Sequence, residues 1–248
     1  RDWSSDVCSS DLIRAVRGGL IVRNKAVRME DVSMQLLDGS MTMSGSYGTV
    51  DPKSPTIDFS LDVKDFDIKK TVSSFDAVGK MAPLALHCTG RYGTTMTVSG
   101  KLDAHMSPVL NSLSGGGKLF TSAVEISGFE AFNRVADELK QPSWKKLVIP
   151  SMNPSFRFRD GRVFVDPFDV NINGYKSTIA GSNGFDQTID YTMNVDFPRA
   201  QLGASANAAI NSIVSAANAK GANVAVGDVI PVAIGMKGTV DRKSTRLN

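Results

Sequence analysis

The sequence predicts a mainly β chain with a few amphipathic helices, its strands extending one sheet and not closing a globule. Three observations predict it. Apolar and polar residues alternate along many stretches, most clearly at Ile189, Tyr191, Met193, Val195 and Phe197 with Asp190, Thr192, Asn194 and Asp196 between them. That period of two makes one strand face apolar and the other wet. Glycine is plentiful while helical spacing is confined to short stretches. Finally, an amphipathic strand feeds a short amphipathic helix three times, at Phe59–Phe75, Val124–Leu139 and Val195–Val214, a repetition expected of modules stacked along one sheet.

The two ends are set apart before the elements are placed. Residues 2–12, DWSSDVCSSDL, and 241–248, DRKSTRLN, resemble translations of a common sequencing-library adapter and of its reverse complement, and carry no strand or helix period. With Arg1 they stand outside the predicted fold. The expected layout is adapter-like sequence over 1–12 and 241–248, a β-meander module with one helix over 13–106, and a second β module over 107–240 with helices near 129–140 and 204–220. Trp3 and Cys8 belong to the first tail, leaving Trp144 and Cys88, so no disulfide framework is expected inside the stretch. The tails hold Arg1, Arg242, Lys243 and Arg246 against Asp2, Asp6, Asp11 and Asp241, so the formal charge stays at +3 without them. A charge that small and dispersed argues against a nucleic-acid partner.

In chain order, LIVRNKAV, DVSMQLL and SMTMSGSY read as three meandering strands within Gly19–Tyr47, separated at Met29–Glu30 and at Asp38–Gly39, the latter a tight-turn signal. Asp51–Pro55 is a loop, and Ile57, Phe59, Leu61 and Val63 alternate with Asp58, Ser60, Asp62 and Lys64 as a fourth strand. Asp67 can cap a helix whose face is Ile68, Val72 and Phe75. LALHCTG and TTMTVSGKLDAH read as strands joined across Arg91–Gly93. Ser107-Pro108 opens a short helix over Val109–Leu113. Gly115–Gly117 reads as a loop before the strand KLFTSAVEIS. Phe129, Phe132, Val135, Ala136 and Leu139 form an amphipathic helix that Pro142 stops. SFRFRDGRVFVDPFDVNI is a hairpin turning at Asp160–Gly161, followed by two strands and an Ala-rich helix with Gly221 as its C-cap. VIPVAIGMKGTV is the last strand.

Little in this chain points to chemistry. His87 and His105 are the two histidines. His87 and Cys88 read as neighbours on one strand, where they would point to opposite faces and make a poor dyad. Asp58, Asp62, Asp65 and Asp67 lack EF-hand spacing and read as a wet strand face. Ser114–Lys118 lacks the spacing of a phosphate loop, has Leu119 where Ser or Thr would hold magnesium, and precedes a strand. No enzyme, metal site or cofactor is expected.

The remaining signal is the apolar face. Met41, Met43, Ile57, Phe59, Leu61, Val63, Met96, Val98, Phe156, Phe158, Ile189, Tyr191, Met193, Val195 and Phe197 lie on one side of their strands. A sheet packed on its own helices produces this pattern, and so does a curved sheet whose apolar concave face holds acyl chains; Met and Phe suit both. The last helix places Ala206, Ala209, Ile210, Ile213, Val214 and Ala217 on one stripe. Its other face is uncharged, unlike helices that bind anionic membranes.

LDGSMTMSGSYG resembles the repeated strand-turn-strand phrase of the AsmA-like proteins. DAHMSPVLNSLSGGGKLFTSAVEISGF with the helix after it, SFRFRDGRVFVDPFDVNINGYKSTIAGSNGFDQTIDYTMNVDFPRAQLG, and IGMKGTV are similar to the C-terminal region of that family in its Bacteroidota-type members. The resemblance spans 13–240 and is closest over 102–240. It implies an extended, curved antiparallel sheet forming an open β-groove or flattened half-barrel. It also implies a periplasmic segment of a protein held in the inner membrane of a Gram-negative bacterium by an N-terminal anchor that this stretch lacks. The family and its relative TamB are associated with outer-membrane assembly and with conducting phospholipids between membranes. The expected partners are thus phospholipid acyl chains and envelope proteins, these apolar residues lining the groove and the Ala-rich helix forming a rim or plug. A structural or interaction module for envelope protein assembly is the alternative.

Overall fold

Alternation builds the strands that the sequence calls for, and short hairpins set them side by side. The computed structural model describes residues 13–138, 141–201, 203–225, 227–239 and 243–247; Leu139, Val240 and residues 1–12, with Trp3 and Cys8, lie outside them. Among the described residues are thirteen strands: β1 (Ile13–Arg23), β2 (Ala26–Leu36), β3 (Gly39–Gly48), β4 (Thr56–Asp67), β5 (Cys88–Lys101), β6 (Ser114–Ser127), β7 (Lys146–Met152), β8 (Ser155–Arg159), β9 (Arg162–Ile172), β10 (Tyr175–Gly184), β11 (Thr188–Pro198), β12 (Val229–Thr239) and β13 (Lys243–Leu247). They form one antiparallel sheet in almost sequential order, β1 to β6 and then β8 to β13, with β7 also on β6. The sheet is open and curved, not closed into a barrel. It runs unbroken across residue 106, the expected module boundary, because β5 and β6 pair over most of their length. β13 pairs with β12 inside the tail set apart as adapter-like.

The helices are insertions within strand pairs. α1 (Ile68–Ser74) and α2 (Asp76–Met81), with the 3₁₀ turn Pro83–His87, separate β4 from its neighbour β5. α3 (Glu130–Glu138) and the turn Pro142–Lys145 separate β6 from β7. α4 (Gly203–Ala219) separates β11 from β12. All three expected strand-to-helix transitions are present. Asp67 caps α1 by accepting the Lys70 amide at 2.8 Å, satisfying one of the free donors of a helix start. Gly221, at φ +87°, ends α4 with the Ala222 amide bonded back to the Ala217 carbonyl at 3.1 Å.

Several boundaries differ from the sequence reading. The first turn is Asn24–Lys25, both at positive φ, and Met29–Glu30 lies inside β2 beside a bulge at Asp31. Asn enters the left-handed region more readily than most other non-glycine residues, so Asn24 opens a tight hairpin without a glycine. LALHCTG is a 3₁₀ turn up to His87, and β5 passes straight through Arg91–Gly93. Val109–Leu113 reduces to a 3₁₀ turn at Leu110–Ser112. On α1 the buried side chains are Ile68 and Thr71, while Phe75 is 46% exposed. Gly115–Gly117 is not a loop but the start of β6, paired to Met96–Val98 on one side and Phe156–Phe158 on the other.

The main core lies over the C-terminal half of the sheet, where Phe132, Val135 and Ala136 of α3, Trp144, Leu147 and Ile149 cluster with Val170, Ile172, Met193, Val195, Phe197 and Ile234. Trp144 stacks on Phe197 with ring centres 5.7 Å apart. Two smaller clusters hold Leu36, Leu37, Val63 and Phe66, and Leu113, Phe158 and Val163.

Candidate functional site

Register places the expected apolar residues on a single face. Directly opposed residues of an antiparallel pair point the same way. Met41 opposes Val63 and Met43 opposes Leu61; Phe59 opposes Val98 and Leu61 opposes Met96. Across β6, Val98 and Met96 meet Gly115 and Gly117, which in turn oppose Phe158 and Phe156. The line continues through Val163 and Val165 to Asn183 and Gly181, and on to Ile189, Tyr191, Met193 and Val195. Ile57 and Phe197 share the face through their positions on β4 and β11.

Glycines on this face make room for its large side chains. A Cβ on Gly45 would lie 2.6 Å from Phe59 Cδ1, and one on Gly115 2.9 Å from Phe158 Cζ. Gly181 stands in the same relation to Tyr191, at 2.6 Å. Each ring therefore lies over bare backbone on the neighbouring strand. Spacing of apolar residues alone does not show this, since the Gly115–Gly117 run imitates a linker.

Burial divides the face in two. Met41, Met43, Ile57, Phe59, Leu61, Met96, Val98, Phe156 and Tyr191 are half-buried. Val63, Phe158, Ile189, Met193, Val195 and Phe197 are buried, Met193 and Val195 completely. For these six, the expectation of an open groove lining is corrected: Val63 and Phe158 belong to the two small clusters, and the β11 residues to the main core. Over Met193, Val195 and Phe197 the cause is the insertion between β6 and β7, which delivers Trp144 and the apolar side of α3 onto the strands that follow.

The helix expected as a rim or plug, α4, is mostly exposed. Among its described side chains none belongs to a core cluster. Ile210, Val214 and Ala217 are half-buried, Ala209 is exposed, and Ile213 is 70% exposed; the Ala206 side chain lies outside the described residues. Polar ties hold the helix in place. Arg199 donates to Asn207 Oδ1 at 2.9 Å and to Asn211 Oδ1, and Asn218 exchanges two hydrogen bonds with the Val224 backbone.

The opposite sheet face is polar, with exposed ion pairs such as Lys64–Asp62 and Lys237–Asp190, each worth little in water. Arg157 and Arg159 both lie 5.8 Å from the Phe164 ring centre. A shallow hollow of about 560 Å³ on this side is lined by Asp62, Arg91, Thr95 and Phe120. Burial pushes the Cys88 thiol up to about 11, and it donates to the Leu84 carbonyl at 3.2 Å, the reverse of an activated nucleophile. His87 ends its 3₁₀ turn against the Phe129 ring, 5.3 Å away. Among the described residues no three His, Cys, Asp or Glu side chains gather as a metal site, and no helix is long and apolar enough to cross a membrane. Compared with family models, curated proteins and solved structures, the chain matches none.

Proposed function

We propose that this chain is a periplasmic segment of an AsmA-like protein in outer-membrane biogenesis, and that it binds or conducts phospholipid acyl chains along the apolar face of its sheet. The observation that carries the reading is the half-exposed reach of that face, where Met43, Phe59, Leu61 and Met96 stand on adjacent strands behind a polar reverse side. Covering half of a sixteen-carbon chain, at about 0.8 kcal/mol per methylene, releases roughly 6 kcal/mol. That suits a ligand which must bind and then move on. Adaptable Met and Phe side chains accept a mobile chain in many poses, and headgroups remain at the wet edge.

The test places photo-cross-linkers at Met43 and Phe59, with Ser60 on the polar face as control, and exposes the protein to phospholipid vesicles. Preferential lipid capture at the first two positions is expected. Equal labelling at all three, together with no co-purifying lipid, would overturn the reading.

The closed core around Met193, Val195 and Phe197 favours a second reading, an interaction module for envelope assembly that displays α4. A cross-linker at Ile213 that captures protein while Phe59 captures no lipid would decide for it.

A further inference from the structure

The segment between β4 and β5 is far longer than those strands need. They pair directly down to Asp67 and Arg91, a connection that a hairpin of two to five residues ordinarily makes. Instead, residues 68–87 fold into three short helical pieces joined by single non-helical residues, Phe75 at φ −130° and ψ 93°, and Ala82 at φ −136° and ψ 74°.

The pieces are held unequally. α1 is anchored by buried Ile68 and Thr71, by its Asp67 cap and by the Lys70–Asp38 pair at 2.6 Å. α2 has no buried residue and no side-chain cap, and packs mainly on α1 and the following turn, not on a strand. Phe75 before it is 46% exposed and Leu86 after it 58%. Sparse burial of this kind marks a segment that opens well below the free energy of global unfolding.

What joins α2 to the sheet is a buried polar relay. Asn183, 5% exposed on β10, donates from Nδ2 to the Met81 carbonyl at 2.7 Å and accepts the Tyr191 hydroxyl at 2.9 Å. An amide on an otherwise apolar face is costly unless its hydrogen bonds are made, and Met81 supplies one of them. The Met81 side chain packs on the Leu113–Phe158–Val163 cluster, between the half-exposed reach and the main core.

We infer that α2 forms a displaceable cover on the apolar face, latched by Asn183 and Tyr191, while the turn after it stays fixed through buried Pro83 and through Leu84 and Ala85 on the main core. Opening it uncovers Val163, Ile189 and Tyr191 and lengthens the reach available to an acyl chain. The inference rests on the proposed lipid reading for its purpose, not for the motion itself.

Two measurements separate the two. Hydrogen exchange of residues 76–81 is expected to quicken about tenfold in Asn183→Ala, the equivalent of one net hydrogen bond, with the β10 and β11 amides still protected. Tyr191→Phe, which keeps the bond to Met81, should quicken it less, and carries the test if Asn183→Ala fails to fold. Alongside, an aliphatic diazirine at Ile189 should capture phospholipid from vesicles more in Asn183→Ala than in the parent, while capture at Phe59 stays constant. Unchanged exchange of 76–81 in both variants overturns the latch. Faster exchange with capture at Phe59 but none at Ile189 overturns the extended path. Faster exchange with no capture at Phe59 leaves the cover standing and removes the lipid reading.

Discussion

Phe59 and Phe158 offer a direct measure of how the apolar face is divided. Both sit on that face with their rings over a glycine of the adjoining strand, Gly45 and Gly115. Phe158 is 1% exposed within its cluster, whereas Phe59 is half-buried. Phe158→Ala removes a fully packed ring and leaves a hole among Leu113, Val163 and Leu110, for which about 3–5 kcal/mol is expected. Phe59→Ala opens to solvent, so the cavity term falls away and only the partial transfer term remains, about 1–1.5 kcal/mol. With a urea slope of about 2 kcal/mol per molar, the unfolding midpoint should fall by about 2 M in the first variant and about 0.6 M in the second. Trp144 is wholly buried and reports the transition by fluorescence, with Trp3 replaced by Phe. Equal losses, or a larger loss at Phe59, would refute the division into an open and a closed reach.

Two further outcomes follow from the geometry. Gly181→Ala should cost about 2–4 kcal/mol, because the new methyl meets the Tyr191 backbone and ring at 2.6 Å with φ at +156°, adding overpacking to a conformation that suits only glycine; a loss below about 1 kcal/mol in urea melts would contradict the placement of that ring. In alkali, burial raises Cys88 from 9.0 to about 11 and Tyr191 from 10.0 to about 12. Both acids hold their protons more tightly folded than unfolded. Their contribution is therefore complete below pH 9 and is lost as pH rises from about 9 through 12. Melting temperatures across that window should fall, and less steeply in Cys88→Ala and Tyr191→Phe; parallel curves for parent and variants would refute it.

The sequence by itself determined the strand faces. Alternation at Ile57–Val63 and Ile189–Phe197 needs only the pleat to be read correctly, and the turn at Asp160–Gly161 and the caps at Asp67 and Gly221 are likewise local chemistry, legible without a fold. Missing signals were those in which a partner strand overrides local preference. Gly115–Gly117 looks like a linker until Phe158 lies across it, and Asn24–Lys25 looks like strand until β2 turns back. Only the tertiary structure decided which part of the apolar face is closed. Phe59 and Val195 carry the same pattern in sequence, but α3 and Trp144 reach β11 and leave Phe59 half-buried. Periodicity reports which side a residue takes, whereas burial depends on what the rest of the chain lays over that side.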